Sequence, residues 1–530
     1  MNARSPMPRN ASTRSTRALL VALLVAAPVT GGAAQQRTSY EELQTFSQVL
    51  TYIFHSYPDS VSYSILVKSA IDGVLRDLDP HSLFFSRLDY ERFDSLQRGD
   101  LATTGASLDD VDGDPTVLGI YPKSPAEDGG VRPGDRVLAI NDTVIAGLEI
   151  ETVRLRMAGA PGTKVRVRFA RGPKLEPDTF TVTLKRKAFE ERDVWSVRMV
   201  DSVTGFLRLD EFGEKSAEQV HDAIKTLKKQ GAKQIILDLR NNPGGIVDQA
   251  VDLVSEFVPK GTIVFSTKGR RADVDTTYRT RKDGDFRDLP LIVLVNQLSA
   301  SAAEATAASL QDHDRALIIG RRTFGKALMQ SNFILSSGEV LHMTIGHVIS
   351  PSGRYIQRRY AGLAVEQYYD LAGKTGAAND TDKVYHTDAG RAVRGGGGVL
   401  PDIVDSGGVQ PAAWWAAAQD SGWITAVVDS VALTQPATPV GMATFEASLP
   451  RWGNTLMPGL LKRIRDRLHV EAMVDSTTQW RLGYEVGRRV VENRWGVDAM
   501  YDLDLHHDRD VRLALGAFPR LSDLLKAKPN

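Results

Sequence analysis

The stretch LIVLVNQLSASAAEATAASLQDHDRALIIG, residues Leu291–Gly320, decides the fold. It opens with an apolar run typical of a buried strand, and its alanine-rich middle predicts a helix at Ala302–Gln311. A second apolar run predicts a strand at Ala316–Ile319. The same alternation of strands and helices continues from Val194 to about Ile349 and predicts α/β units around a largely parallel sheet. Ligand sites in such sheets form at the carboxyl ends of the strands, so we expect the catalytic or binding residues in the loops that follow them.

Apolar runs and helical spacing outward from this stretch predict further elements. The predicted strands are Gly205–Leu209, Gln234–Leu239, Thr262–Phe265 and Leu291–Asn296, and the predicted helices are Ser216–Gln230 and Gly245–Phe257.

Ser301 stands at the predicted start of the helix, directly after a buried strand. Free N–H groups and the positive end of the helix dipole would stabilise a developing anion there. We therefore take Ser301 as the candidate nucleophile. Ser301 and Glu304 also have capping-box spacing, so an alternative is that Ser301 only caps the helix. Ser299 is a second candidate nucleophile that spacing alone does not exclude.

Lys326 is the candidate base, since the chain around it (Phe324–Met329) holds apolar residues, glycine and no acid. Burial there would lower the lysine pKa, and a neutral lysine can activate a serine. Gln330, four residues on, has an offset from which it can orient the amine. An alternative that spacing does not exclude is a histidine base, either His342 or His347.

The segment DLRNNPGG, Asp238–Gly245, follows another predicted strand. Its Asn, Pro and Gly residues favour a turn. A turn at the start of a helix can also bind an oxyanion with backbone N–H groups.

Composition excludes several classes of function. The 530 residues contain 42% hydrophobic and 25% charged residues, typical of a globular protein with two to four domains. Lys plus Arg and Asp plus Glu both number 65, so no net charge favours nucleic acid as a partner. The absence of Cys excludes thiol catalysis and disulfides. The ten His include no H-E-x-x-H, and we expect neither a metal nor another cofactor.

The N-terminus is typical of a secretory signal peptide. Arginines precede the apolar run Ala18–Val29, and small residues follow at Gly31–Ala34. The run is shorter than the roughly 20 residues that a membrane anchor needs. We therefore predict cleavage near Ala34 and a periplasmic or secreted protein without an integral membrane segment.

Changes in pattern along the chain predict five regions. These are a signal peptide (1–34), a helical N-terminal segment (35–99), a β-rich module (100–187), an α/β core (188–405) with a polar loop or insertion (358–397), and a helical C-terminal extension (406–530). The module has predicted strands at Thr116–Tyr121, Arg136–Ile140, Lys164–Phe169 and Thr179–Leu184, and a helix at Glu149–Met157.

Several motifs, in order, resemble the carboxyl-terminal processing peptidases, also called tail-specific proteases. The motifs are LDPHS (78–82), SPAEDGGVRPGD (124–135), DLRNNPGG, SASAAE (299–304), LQDHDRALIIG (310–320), TFGK (323–326), SPSGRYIQ (350–357) and GGGGVLPDI (395–403). The resemblance covers roughly Tyr40–Asp405. It implies a multidomain α+β protein, in which a ClpP/crotonase-like α/β peptidase core carries an inserted β-rich PDZ domain.

The family resemblance implies a role for each site residue. In the family the lysine follows the nucleophilic serine by 25 residues, which selects Ser301 with Lys326 over Ser299. The family's glutamine maps onto Gln330, and its oxyanion donors map onto the N–H groups of Ala302 and Gly245. The chain departs from the family at Leu298, Ala303 and Ala327, where the family has Gly, Ser and Gly.

The PDZ resemblance implies that protein or peptide substrates are bound through their C-termini, by strand addition and backbone N–H groups. The candidate carboxylate loop contains Gly105, Ala106, Ser107 and Leu108. A rival hypothesis is a catalytically silent PDZ protein that only binds exported C-termini. The sequence leaves the oligomeric state open.

Overall fold

The computed structural model describes residues 38–526, except 98–101, 112–113, 122, 133, 147, 149, 172–176, 188–192, 364–366, 369–382, 406–412, 421, 433–444, 469–473 and 496. The predicted signal peptide lies outside the described residues. The chain divides into two compact units, Met1–Ala70 and Ile71–Asn530. None of the helices in the described part has the length and apolar content needed to cross a bilayer.

The described part begins with helices, as predicted. Its first elements are α1 (Ser39–Ser56), α2 (Tyr63–Leu78), β1 (Leu83–Phe85) and α3 (Arg87–Gln97). Thr38 and Glu41 form a capping box that satisfies N–H groups at the start of α1.

The β-rich module is an antiparallel sheet in the order β2-β3-β4-β6-β7, with β5 paired to β4. Its elements are β2 (Ala106–Val111), β3 (Asp114–Ile120), α4 (Pro125–Asp128), β4 (Arg136–Ile140), β5 (Thr143–Val144), α5 (Ile150–Met157), β6 (Lys164–Arg171) and β7 (Asp178–Lys185). Every second residue of β6 faces the core, where Val165, Val167 and Phe169 are fully buried. Among the described strands, β2 forms one edge of this sheet.

Two sheets build the α/β core. Their elements are β8 (Val194–Met199), β9 (Thr204–Leu209), α6 (Ser216–Lys229), β10 (Gln234–Asp238), α7 (Val247–Ser255), β11 (Ile263–Gly269), β12 (Thr276–Arg279), β13 (Leu291–Val295), α8 (Ala302–Asp312), β14 (Leu317–Gly320), β15 (Leu328–Ile334), β16 (Val340–Ile349), β17 (Val384–His386), β18 (Ala392–Arg394) and β19 (Ile403–Val404). The main sheet has the order β19-β14-β13-β10-β9-β8 and is parallel except for β8. A smaller antiparallel sheet joins β1, β16, β11 and β12, with β15 paired to β16.

The C-terminal extension is helical, as predicted. It contains α9 (Ala413–Asp420), α10 (Trp423–Ala432), α11 (Leu449–Leu468), α12 (Ser476–Trp495), α13 (Val497–His507) and α14 (Arg509–Lys526). One face of the main sheet packs against α6, α7 and α8. The other face packs against α14, which therefore supplies the second helical layer of the core.

The strands and helices predicted for the core are present, with ends shifted by a few residues. The prediction of a loop or insertion at 358–397 was wrong in part, because its described residues include the hairpin β17–β18. Beyond this stretch, β19 joins the main sheet parallel to β14. The strands β15 and β16 were not predicted.

Candidate active site

Ser301 lies in the short connection between β13 and α8, at the carboxyl end of the main sheet. Its backbone has φ 53° and ψ −114°, whereas a residue that caps a helix is normally extended. Such a conformation costs about 1–3 kcal/mol in a non-glycine residue and is concentrated at functional sites. Ser301 also forms the predicted capping box with Glu304, and its strained backbone favours a chemical role in addition to capping.

The turn after β10 reaches the same place and contacts Ser301 through Gly244. A Cβ atom on Gly244 would lie 2.7 Å from the Cβ of Ser301 and 2.9 Å from the nitrogen of Ala302. Gly244 has φ +101°, a conformation that favours glycine. Glycine is therefore required here both for the turn and for its close approach to the serine.

Hydrogen bonds hold this turn in place and leave two N–H groups beside Ser301. The N–H of Gly244 donates to the side chain of Asn242, and the carbonyl of Gly244 accepts from Phe212. Ile246 N–H donates to the Phe212 carbonyl. Within the described residues, neither the N–H of Gly245 nor that of Ala302 has a hydrogen-bond acceptor. Both groups are available to a negatively charged oxygen.

Glu304 links the serine segment to the lysine segment. Its carboxylate accepts the N–H groups of Ser301 (3.0 Å) and Lys326 (2.7 Å) on one oxygen. On the other oxygen it accepts the Gly325 N–H (2.7 Å) and the Thr323 hydroxyl (2.5 Å). Burial raises the pKa of Glu304 to about 7, although the hydrogen bonds from these four donors lower it. Sequence reasoning had assigned Glu304 only a capping role, and the chain near Lys326 showed no acid.

Gln330 lies on β15, four residues beyond Lys326. Its Nε2 donates to the Thr344 hydroxyl at 3.3 Å, which leaves its Oε1 as the acceptor for an amine. The Thr344 N–H donates in turn to the Ser82 hydroxyl at 3.1 Å, and that hydroxyl donates to Asp79 at 2.7 Å. The LDPHS turn therefore contacts β16, the strand that pairs with β15 and whose Thr344 binds Gln330.

His81, on the same turn, is a site residue to which sequence reasoning had given no role. Its Nε2 lies 3.1 Å from the hydroxyl of Tyr368. Burial, followed by the charges of Lys326 and His342, lowers the pKa of His81 to about 3. Burial and the Lys326 charge also lower the pKa of His342. Lys326 thus lies near two imidazoles whose pKa values are lowered, which favours their neutral forms.

The alternative site residues have other partners. Ser299 is fully buried, and its hydroxyl donates to the Leu239 carbonyl at 2.7 Å. The Nδ1 of His342 lies 2.7 Å from the Asn332 side chain, and that of His347 lies 2.5 Å from the Tyr355 hydroxyl. The Ser299 hydroxyl is thus used within the core, and one ring nitrogen of each histidine has a partner.

The candidate carboxylate loop precedes and begins the edge strand β2. Gly105 has φ +80°, and its N–H donates to the Thr103 hydroxyl at 3.3 Å. Ala106 is half-buried, Ser107 is exposed, and Leu108 packs in the module core. From α5, the guanidinium of Arg154 donates twice to the Leu108 carbonyl, at 2.9 and 2.7 Å. Arg154 thus occupies an acceptor on the edge of the sheet.

Among the described residues, one cluster has side chains of the types that bind metals: His221, Glu256 and Asp285. The Nδ1 of His221 lies 2.8 Å from one oxygen of Glu256, and Lys282 donates to the other oxygen at 2.5 Å. Because these two groups satisfy the carboxylate, the contacts favour an ion-pair cluster.

Comparisons with known proteins match both predicted modules. Residues 203–364 match peptidase family S41, and residues 116–171 match the PDZ domain.

The chain is 30% identical over 295 residues to the carboxy-terminal processing protease CtpA of Bacillus subtilis (strain 168), covering 56% of this chain and 62% of that protein. It is 30% identical over 337 residues to a probable CtpA-like serine protease of Staphylococcus epidermidis (strain ATCC 12228 / FDA PCI 1200), covering 63% and 66%. A solved photosystem II D1 C-terminal processing protease is 24% identical, with 69% of this chain and 93% of that chain covered and a TM-score of 0.41.

The chain thus spans less than two thirds of the length of these two curated relatives. Residues 203–364, which match peptidase family S41, include Ser301, Lys326 and Gln330, and residues 116–171 match a PDZ domain. The resemblance predicted from the motifs is confirmed for these segments. The predicted multidomain α+β fold with a PDZ module is also confirmed.

Proposed function

We propose that this chain is a serine endopeptidase with Ser301 as nucleophile and Lys326 as general base and acid. The observation that carries the proposal is the backbone of Ser301, which is strained at the start of a buried helix. Glu304 supports it, because a single carboxylate oxygen binds the N–H groups of both Ser301 and Lys326. The S41 match over both residues agrees with this assignment.

The proposed reaction proceeds through an acyl-enzyme. The Ser301 Oγ attacks the scissile carbonyl carbon, and its proton passes to the neutral Nζ of Lys326. The N–H groups of Ala302 and Gly245 stabilise the oxyanion of the tetrahedral intermediate. Lys326 then protonates the departing amine as the C–N bond breaks. Water, deprotonated by Lys326, attacks the acyl carbon, and Lys326 returns this proton to the Ser301 Oγ as the ester bond breaks. Gln330 orients the lysine throughout.

We propose that the PDZ module selects protein or peptide substrates by their C-termini. The edge strand β2 offers a template for strand addition, and the turn at Gly105 lies at its start. Amidating a peptide removes the charge that such a loop holds. We expect free-acid peptides to be cleaved faster than their amidated forms, and equal rates would reject selection by the C-terminus.

We also propose that the protein is exported to the periplasm or secreted, as the N-terminal pattern predicts. Mass spectrometry of the protein from a cell envelope or culture supernatant tests this. The expected mature N-terminus lies near Ala34, and an intact N-terminus in the cytoplasmic fraction would contradict export.

The catalytic assignment is tested by turnover of a tailed peptide. Ser301→Ala and Lys326→Ala should abolish cleavage while leaving the PDZ module able to bind the peptide. Ser309→Ala is a matched control, because Ser309 is a buried serine on the same helix α8. Full activity in Ser301→Ala would reject the assignment. Binding without cleavage by the unmodified chain would favour the silent PDZ protein instead.

A further inference from the structure

The C-terminal extension contacts the core at β10, the strand that leads to the turn Asn241–Gly245, which we call the oxyanion turn. Helix α14 packs Val511, Ala514 and Phe518 against the main sheet, including Ile236 of β10 and Ile292 of β13. The extension is therefore a structural layer of the core. The residues at the start of α14 lie near the carboxyl ends of the strands, where they contact Arg240 and Asp405.

Arg240 joins the core to the start of α14 through ion pairs. Two residues after the end of β10, its guanidinium binds both oxygens of Asp238, at 2.9 and 2.7 Å. It also donates to Asp508 at 2.6 Å and to Asp510 at 3.0 Å. Burial alone would raise the pKa of Asp238, but Arg240 lowers it. Two carboxylates from the extension thus complete a buried ion cluster on a core arginine.

Arg240 directly precedes the oxyanion turn. Asn241 next to it has φ +62° and exchanges hydrogen bonds with Asn296 at the end of β13. Asn242 accepts the Ala300 N–H through its carbonyl and the Gly244 N–H through its side chain. A few covalent and hydrogen bonds therefore connect Arg240 to Gly244 and Gly245.

We propose that Asp508 and Asp510 are positioning residues for catalysis, which hold Arg240 so that the Gly245 N–H points at the oxyanion. This inference rests on the proposed function, because it assumes that Ser301 and the turn form the reacting site. The proposal gives the C-terminal extension a role in catalysis, through its ion pairs with Arg240. Asp508 has a second role, since its other oxygen accepts the N–H groups of Asp510 and Val511 at the start of α14.

Asparagine substitutions separate these two roles. Asp508→Asn keeps a side chain that caps helices well, and it removes the negative charge that faces Arg240. Asp510→Asn likewise preserves shape. The matched control is Arg509→Gln, which removes the ion pair of Arg509 with Asp405 (2.9 Å) between the same helix and the core. That pair does not involve the oxyanion turn.

The test measures kcat, KM and the affinity of a peptide boronate, which forms a tetrahedral adduct with the serine. Losing one oxyanion donor costs about 100- to 1000-fold in kcat, and we expect misalignment in Asp508→Asn/Asp510→Asn to cost about tenfold or more. Boronate affinity should fall in parallel, while KM stays within about twofold. Arg509→Gln should keep the wild-type kcat.

A double variant that is folded but has wild-type kcat and boronate affinity would overturn the inference. If the double variant does not fold, the single variants decide. Each should lower kcat and boronate affinity together, and wild-type values in both would reject the proposal. Ser301→Ala is measured alongside, because residual cleavage in it would reject the catalytic assignment itself. Inactive Ser301→Ala with fully active aspartate variants would reject only the positioning role.

Discussion

Gly244→Ala is the substitution whose effect follows most directly from the geometry. The added Cβ would lie 2.7 Å from the Ser301 Cβ and 2.9 Å from both the Ala300 oxygen and the Ala302 nitrogen. These distances are shorter than ordinary van der Waals contact, so the turn and the serine must separate by several tenths of an ångström or more. A displacement of about 1 Å at a reacting centre costs about 100-fold in rate. We expect kcat to fall by about that factor.

The matched control is Gly261→Ala, because Gly261 also has positive φ (+83°) but no atom within 4 Å of its added Cβ. Both variants should lose about 1–2 kcal/mol of unfolding free energy from the left-handed backbone. Gly244→Ala should lose more than Gly261→Ala, because its added Cβ also overlaps neighbouring atoms. Only Gly244→Ala should lose peptidase activity. Initial rates on a fluorogenic peptide and urea unfolding curves measure the two effects. A stable Gly244→Ala chain with the wild-type kcat would show that this turn does not border the reacting serine.

The proposed active site and the PDZ module give three further predictions. Lys326→Arg should be as inactive as Lys326→Ala in peptide hydrolysis, since a guanidinium keeps its proton; activity in the arginine variant would contradict a lysine base. Burial raises the pKa of Glu304 from 4.5 to about 7, so its contribution to stability is present below pH 4.5 and is lost as pH rises through 7. Urea unfolding of wild type should lose about 3 kcal/mol over this range relative to Glu304→Gln, and parallel pH curves would refute the buried position. Arg154→Ala should tighten binding of a free-acid peptide about tenfold in fluorescence anisotropy, because it frees the Leu108 carbonyl; unchanged affinity would argue against strand addition at β2.

The main sheet could be predicted because its strands are buried on both faces. Such strands read as continuous apolar runs, and LIVLV in β13 is fully buried. The strands β15 and β16 escaped prediction because many of their residues are half-buried, without regular alternation. Their assignment depends on pairing with each other and with β1 and β11, which no local pattern specifies.

The residues of the site were predictable as members of a motif, but their arrangement was not. The capping-box spacing of Glu304 is local, whereas its hydrogen bond to Lys326 joins residues 22 positions apart. The contact of Arg240 with Asp508 spans 268 positions. The sequence Ser299–Ser301 does not indicate the strained backbone of Ser301, because a serine at the start of a helix ordinarily has an extended backbone. Tertiary packing imposes that conformation.

The central claim is that Ser301 is the acylated residue, and covalent labelling tests it most directly. The mature chain is treated with a fluorophosphonate and digested, and the modified residue is located by mass spectrometry. We predict one adduct on Ser301, slower labelling in Lys326→Ala, and loss of peptidase activity in proportion to labelling. An adduct on Ser299, or full hydrolysis by a chain whose Ser301 is completely labelled, would contradict the account.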